Sequence, residues 1–238
     1  MHQGVSVNQL TPTELAFRFT PGRLSLNLVA TIGERGHRDI ERLLTPADFA
    51  RWCVKAGLMS EAPDVSPKAL KSVKTLREAV YRTALALRCH HVPNPVDIET
   101  INAWAARSPV VPQLRPDGRS VSWTAVCSVD AALASVACDA IDLFSSSLVE
   151  RIKACANPEC AMLFLDTSRP GQRRWCAMSG NGCGNRAKKT AFRQRQRNAP
   201  ILGQAAQPSE RSQQQVGPTA SETLTNNEAN NDWCNSHS

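Results

Sequence analysis

Tyrosine occurs once in the 238 residues and all aromatics together make up 5% of them. Long apolar stretches are missing as well: no run approaches the roughly 18 to 20 residues that a membrane-spanning helix needs, so a membrane role is not expected. The opening stretch MHQGVSVNQLTPTELAFRF has no basic segment followed by a continuous apolar one, which argues against a signal peptide and for a reducing cytoplasm. No self-similar period of 20 to 50 residues is present, so a solenoid is not required. Catalytic signatures are also lacking. There is no nucleophile elbow, kinase set or paired-carboxylate motif, and GERGHRD at 33–39 lacks the strand-to-helix context of a nucleotide loop and reads as a surface connection. His90 and His91 follow a helical pattern and read as its C-terminal cap rather than as a metal pair or a catalytic base. The chain is not expected to be an enzyme.

Basic charge is present, and it is unevenly spread. The net charge of the whole chain is +7. Eleven basic and only two acidic residues lie between Arg151 and Arg197, a local +9, which leaves the remainder at −2. A near-neutral body with one strongly cationic segment points to a polyanionic partner.

The 42% apolar content is enough for a medium-sized core. Leu15, Phe17 and Phe19, then Leu24, Leu26 and Leu28, alternate on either side of Thr20-Pro21-Gly22, which predicts an antiparallel hairpin. A second hairpin is predicted from VVPQL to SVSWTAV across Pro116-Asp117-Gly118. Thr45-Pro46 with Asp48, Ser66-Pro67 and Asn94-Pro95 each open a helix, the second with Leu70, Val73, Leu76, Val80 and Leu87 as its apolar stripe. A further amphipathic helix is predicted from Ser128 to about Ala154, carrying Leu133, Val136, Ala140, Ile141, Phe144 and Leu148. Residues 199–238 are rich in Gln, Ser, Asn and Thr and are expected to be disordered. The expected fold is therefore α+β: a mostly helical domain over 1–150 with short antiparallel hairpins, a small four-cysteine zinc finger over 151–198, and the tail.

Nine cysteines are present. Cys53, Cys89, Cys127, Cys138 and Cys234 are scattered singly and read as small hydrophobes. The other four form a Cys155-x4-Cys160 pair and a Cys176-x6-Cys183 pair separated by a hairpin-sized insert, in which AMLFLDTS and RRWCAM are predicted to be two strands. Two such pairs can converge on one tetrahedral ion, and a single structural zinc fits best. Two disulfides or four unligated thiols are the alternatives, the first disfavoured in a reducing compartment. Four cysteines with no histidine close the shell, which leaves no open position for metal-assisted hydrolysis.

The string CGNR at Cys183-Gly184-Asn185-Arg186, with RRWC and LFLDTSR before it and AKKTAFRQR after it, resembles the CGNR zinc-finger family of predicted bacterial transcription regulators. Upstream, RLSLNLVATIGER and ERLLTPADFARWCVKAGL resemble the ABATE domain that usually precedes that finger, so the resemblance covers about residues 14 to 197. It implies that Cys155, Cys160, Cys176 and Cys183 bind zinc and that the finger binds DNA. In the family pattern the last two cysteines are about four residues apart. Here AMSGNG separates them, and the two extra residues fall within Gly180-Asn181-Gly182, predicting a wider loop that still permits ligation.

If the chain from Gly184 onward is helical, Arg186, Lys189, Arg193 and Arg197 share one face while Lys188 and Arg195 project from the opposite one, with Phe192 between them. Arg173 and Arg174 add to the same field. The expectation is a cytoplasmic, nucleoid-associated DNA-binding regulator. RNA is the alternative polyanion. An enzyme or small-molecule-binding protein with the finger as an interaction platform is the alternative from another class.

Overall fold

The computed structural model describes residues 10–124 and 128–198. Four helices begin where their caps predict. Thr45 and Asp48 close a capping box at the start of α3 (Pro46–Lys55), the Thr45 amide and hydroxyl donating to Asp48 Oδ2 at 2.7 and 2.9 Å. Ser66 Oγ accepts from the Ala69 amide at the head of α4 (Pro67–Arg88), and Asn94 Oδ1 accepts from Val96 at the head of α5 (Pro95–Ala105). Ser128 Oγ accepts from Ala131 at the head of α6 (Val129–Ser145). α4 ends in a Schellman motif: the His91 amide donates to Ala86 O at 2.8 Å and the His90 amide to Leu87 O at 3.0 Å, with His90 at a φ of +57°. Histidine here fills the left-handed position usually given to glycine.

The predicted first hairpin is not formed. Pro12–Leu15 is a short helix, α1, closed by a Thr11–Glu14 capping box, and Leu24–Val29 is a second one, α2. Leucines at 24, 26 and 28 alternate like a strand, but Ser25, Leu26, Leu28 and Val29 are all buried, so the chain has no wet face for the alternation to report. The N-terminus of α2 is also capped from a distance: Asp139 on α6 accepts from the Ser25 amide and hydroxyl at 2.8 and 2.6 Å and pairs with Arg23. No local pattern carries that information. The segment 33–39 forms the connection between β1 (Ile32–Gly33) and β2 (Ile40–Glu41). The second predicted hairpin is present as β3 (Val111–Leu114) and β4 (Val121–Thr124), with Asp117 Oδ1 accepting the Arg119 and Ser120 amides in its turn.

α6 stops nine residues earlier than predicted. Ser146 turns extended, accepts from the Leu148 amide and opens a 3-10 turn over Ser147–Arg151, after which the chain becomes β5 (Ile152–Ala154). That strand pairs antiparallel with β6 (Leu163–Leu165). The partner of AMLFLDTS is therefore the stretch before Cys155, and RRWCAM is not a strand.

The core gathers α2, α3, α4 and α6. Phe49 and Trp52 are fully buried and stacked with centroids 5.6 Å apart, packed with Leu28, Leu43, Leu76 and Leu133. Burying one such side chain contributes about 2 to 3 kcal/mol. Beside it a buried ionic network joins α4 to β2. Arg77, 3% exposed, donates to both Glu41 carboxylate oxygens at 2.8 and 2.9 Å, to Glu78 and to Thr31, and Arg35 closes on Glu78 while stacking over Tyr81.

Cys53 is fully buried, its thiol pushed up to about 12 by that burial, and it acts as the inert hydrophobe expected. Cys89 differs from that expectation: it is disulfide-bonded. Among the described residues no helix is long and apolar enough to cross a membrane. The stretch 199–238, with Cys234, lies outside the described residues, as does Cys127. A compact unit runs to Asn185 and a second begins at Arg186, a division that falls within α7 (Cys183–Arg197).

Candidate metal centre and basic helix

β5 delivers Cys155, whose amide continues the ladder by donating to Met162 O at 2.9 Å. The turn Asn157-Pro158-Glu159 brings the chain back, the Cys160 amide donating to Asn157 O, and Ala161 takes a φ of +47° to enter β6. This is the first knuckle. The second is held by Asp166, which has no exposed surface. Its Oδ1 accepts the Ser168 amide and hydroxyl at 3.0 and 2.6 Å, its Oδ2 accepts the Arg173 amide at 2.7 Å, and Lys153 stands 3.4 Å away. Burial alone would raise this carboxyl's pKa, but the hydrogen bonds from Ser168 and Arg173 and the nearby Lys153 outweigh it and hold it down at about 2. Arg151 donates to the Asp166 and Ser168 carbonyls and Lys153 to Gly171 O, fixing the loop from outside.

Arg173 then turns inward. Its guanidinium lies over the Phe164 ring and donates to the backbone carbonyls of Trp175 and Cys176. From Cys176 the chain makes a loop that closes with the Gly182 amide on Ser179 O, the Gly184 amide on Ala177 O and the Asn185 side chain on Gly180 O. Ser179, Gly180 and Asn181 are exposed. The loop bulges into solvent at these three residues while Gly182 is buried against Ala177, and Cys183, the first residue of α7, still reaches the cluster.

The four sulfurs of Cys155, Cys160, Cys176 and Cys183 lie within 4.8 Å of one another. Cys160 Sγ to Cys176 Sγ and Cys176 Sγ to Cys183 Sγ are each 3.8 Å. Tetrahedral zinc with bonds of about 2.3 Å sets its sulfurs about 3.8 Å apart, so two of the sulfur pairs already stand at the spacing of a closed four-thiolate shell and the rest lie close to it. Hydrogen bonding from the Cys160 thiol pushes Cys155 down to about 7, while bonding to Cys155 pushes both Cys160 and Cys176 up. Four sulfurs this close cannot all carry charge unless a cation replaces their protons. Asn157 Nδ2, 3.7 Å from Cys183 Sγ, supplies an N–H to a ligand sulfur. Around the cluster Ala30, Met162 and Phe164 are buried, with Trp175 and Ala177 beside them, so the ion's surroundings include a residue of the α2 end as well as the finger.

Residues 22–147 match a family described as "Putative stress-induced transcription regulator", ABATE, and residues 151–196 match the CGNR zinc finger. The chain belongs to the ABATE family. No curated protein matches it. With the finger family and the sulfur geometry in agreement, the four-cysteine cluster of this ABATE protein is a zinc-finger site for one structural zinc. The family description points to a regulator rather than to an enzyme.

The predicted basic helix exists. α7 is continuous from Cys183 to Arg197 and contains no acidic residue. Arg186, Lys188, Lys189, Arg193, Arg195 and Arg197 all lie on it; Lys188, Lys189, Arg193, Arg195 and Arg197 are exposed, and Phe192 is 58% exposed. Its helical period places Arg186, Lys189, Arg193 and Arg197 along one face and Lys188 and Arg195 on the other. Arg174 carries its guanidinium over the Trp175 ring, while its neighbour Arg173 is turned onto Phe164. Sequence reasoning missed Asp166 and Asn157. Both are recognisable only from their neighbours: Asp166 directly precedes Thr167-Ser168, the usual place for a carboxylate that gathers loop amides, and Asn157-Pro158 sits between two ligands.

Proposed function

We propose that this protein is a DNA-binding transcription regulator in which the zinc centre fixes the start of α7 and that helix lies against the phosphate backbone. The observation that carries the reading is the fusion of ligand and helix: Cys183 is both the fourth sulfur and the first residue of a 15-residue helix that is rich in exposed cations and has no acid. Arg186, Lys189, Arg193 and Arg197 form the row that contacts phosphates, while Lys188, Arg195 and Arg174 add to the positive field around it and Arg173, turned inward to brace the second knuckle, adds charge without a contact of its own. The body over 1–150, nearly neutral, carries the sensing role, and the finger over 151–198 carries the binding.

Fluorescence anisotropy with the zinc-loaded chain tests the reading, using a labelled duplex and a structured RNA of equal charge over the same salt range. Tighter binding to the duplex, with log K falling linearly against log salt, is the expected result. Preference for the RNA would move the function to an RNA-binding accessory protein, and no binding to either would remove the polyanion reading.

A further inference from the structure

α4, α5 and α6 pack against one another, yet they leave between them a cavity of about 270 Å³ open on one side. Its walls are apolar, with Leu87 from α4, Ile101 from α5 and Phe144 from α6, and Ile98 and Ile141 stand half-exposed at its mouth. The polar groups that line it are Thr83, Asn102 and Ser145, and no ionisable side chain is among the described residues of its lining.

Thr83 is the unusual member. It is 1% exposed, and its Oγ1 is buried with no hydrogen-bond partner. Other helical threonines here behave differently: Thr75 Oγ1 donates to Lys71 O at 3.0 Å and Thr100 Oγ1 to Val96 O at 2.8 Å, each folded back on the preceding turn. A buried hydroxyl left unpaired is costly, and natural interiors rarely keep one without a use. Threonine in a helix has two accessible χ1 rotamers, so a partner entering the cavity can be met by rotation about a single bond.

We propose that this cavity is a binding site for a neutral, largely apolar small molecule that carries one hydrogen-bonding group, which pairs with the Thr83 hydroxyl. The chemistry of the walls sets each part of that description. The absence of ionisable lining residues disfavours phosphates, carboxylates and ammonium groups, whose desolvation nothing in the cavity offsets. The volume is nearly twice the ~150 Å³ of a dry cavity that takes up benzene, which fits one or two rings. The half-exposed isoleucines at the mouth lose contact with water when the site fills. Binding is a property of the body and does not rest on the DNA reading.

The test uses the zinc-loaded full chain and three probes of nearly the same shape: 2-naphthol, naphthalene and 2-naphthoate. Calorimetric titration should show saturable 2-naphthol binding at about one site per chain, weaker binding of naphthalene and none of naphthoate. Thr83→Val keeps the shape and removes the hydroxyl. It should weaken 2-naphthol by roughly fivefold or more, the loss expected for one buried hydrogen bond, and leave naphthalene unchanged. Ile141→Trp, at a half-exposed position where folding is not at stake, should close the mouth and reduce binding of both. Non-saturable uptake, equal binding of naphthoate, or 2-naphthol affinity indifferent to both variants would overturn the proposal.

Discussion

Gly182 lies so close to Ala177 that a Cβ on the glycine would stand 2.7 Å from the alanine Cβ and 2.7 Å from its carbonyl oxygen. No real Cβ occupies such a position, and the obstacle is backbone, which cannot swing aside. Two residues on, a Cβ at Gly184 would meet the Met178 sulfur at 2.2 Å and the Trp175 ring at 3.1 Å, but the nearer obstacle belongs to a flexible side chain that is 45% exposed. The two glycines of the loop are therefore unequal. Gly182→Ala should cost about 1 to 3 kcal/mol through overpacking at the second knuckle, and Gly184→Ala less. Competition with a chromogenic chelator reads this directly: the first variant should surrender zinc at a lower chelator concentration than the second.

Zinc content itself is the next expectation. Protein purified without chelator should hold about one zinc per chain, because four thiolates complete one tetrahedral shell. Replacing Cys155 or Cys183 by Ser should bring the content close to zero by atomic absorption. Zinc unchanged in both variants would mean that the metal sits elsewhere.

Charge removal on α7 should be face-dependent. Each lost phosphate contact lowers the slope of log K against log salt by about 0.9, so Lys189→Ala with Arg193→Ala should lower it by nearly two. Lys188→Ala with Arg195→Ala removes the same charge from the opposite face and should change it less. Equal slopes in wild type and both double variants would leave the helix with no contact to the polyanion.

The buried Arg77 network makes a prediction about the body. Arg77→Met leaves Glu41 and Glu78 without their shared guanidinium and should destabilise the fold by about 3 kcal/mol near neutral pH, measured by urea denaturation. The Glu41 carboxyl is raised by burial but drawn further down by the hydrogen bonds and charge of Arg77, so its pKa lies below the ordinary value. A depressed carboxyl contributes stability above its unfolded pKa and loses it as pH falls through the folded one. The gap between wild type and variant should thus narrow as pH drops below the ordinary carboxylate range.

How much of this was legible in the sequence depended on whether the cause of each feature was local. Ser66-Pro67 and Asn94-Pro95 cap their own helices, and Pro116-Asp117-Gly118 turns its own hairpin, so each was readable where it stands. The four zinc ligands were readable because their spacing and the CGNR string carry them. α2 was misread because its cap is Asp139, more than a hundred residues away. β5 was missed because it pairs with β6 only after Ser146 ends α6, and three residues of strand leave too short a period to outweigh a helical run. The inward turn of Arg173 depends on Phe164 and two carbonyls, which a count of positive charges does not see.

Cys183 divides the finger into two stretches that tolerate changes of length very differently. Before it, residues can be added to the loop after Cys176 and pushed into solvent, as Ser179, Gly180 and Asn181 already are, with the sulfurs still in register. After it, the helix begins at once, and a single inserted residue would swing every cation beyond the insertion by about 100° around the axis relative to the ligand that anchors it. Drift in the first stretch changes only the contour of a loop. Drift in the second re-aims the row from Arg186 to Arg197, so under the proposed backbone contact the phasing between the last sulfur and the first arginine has less freedom to vary than the loop before it.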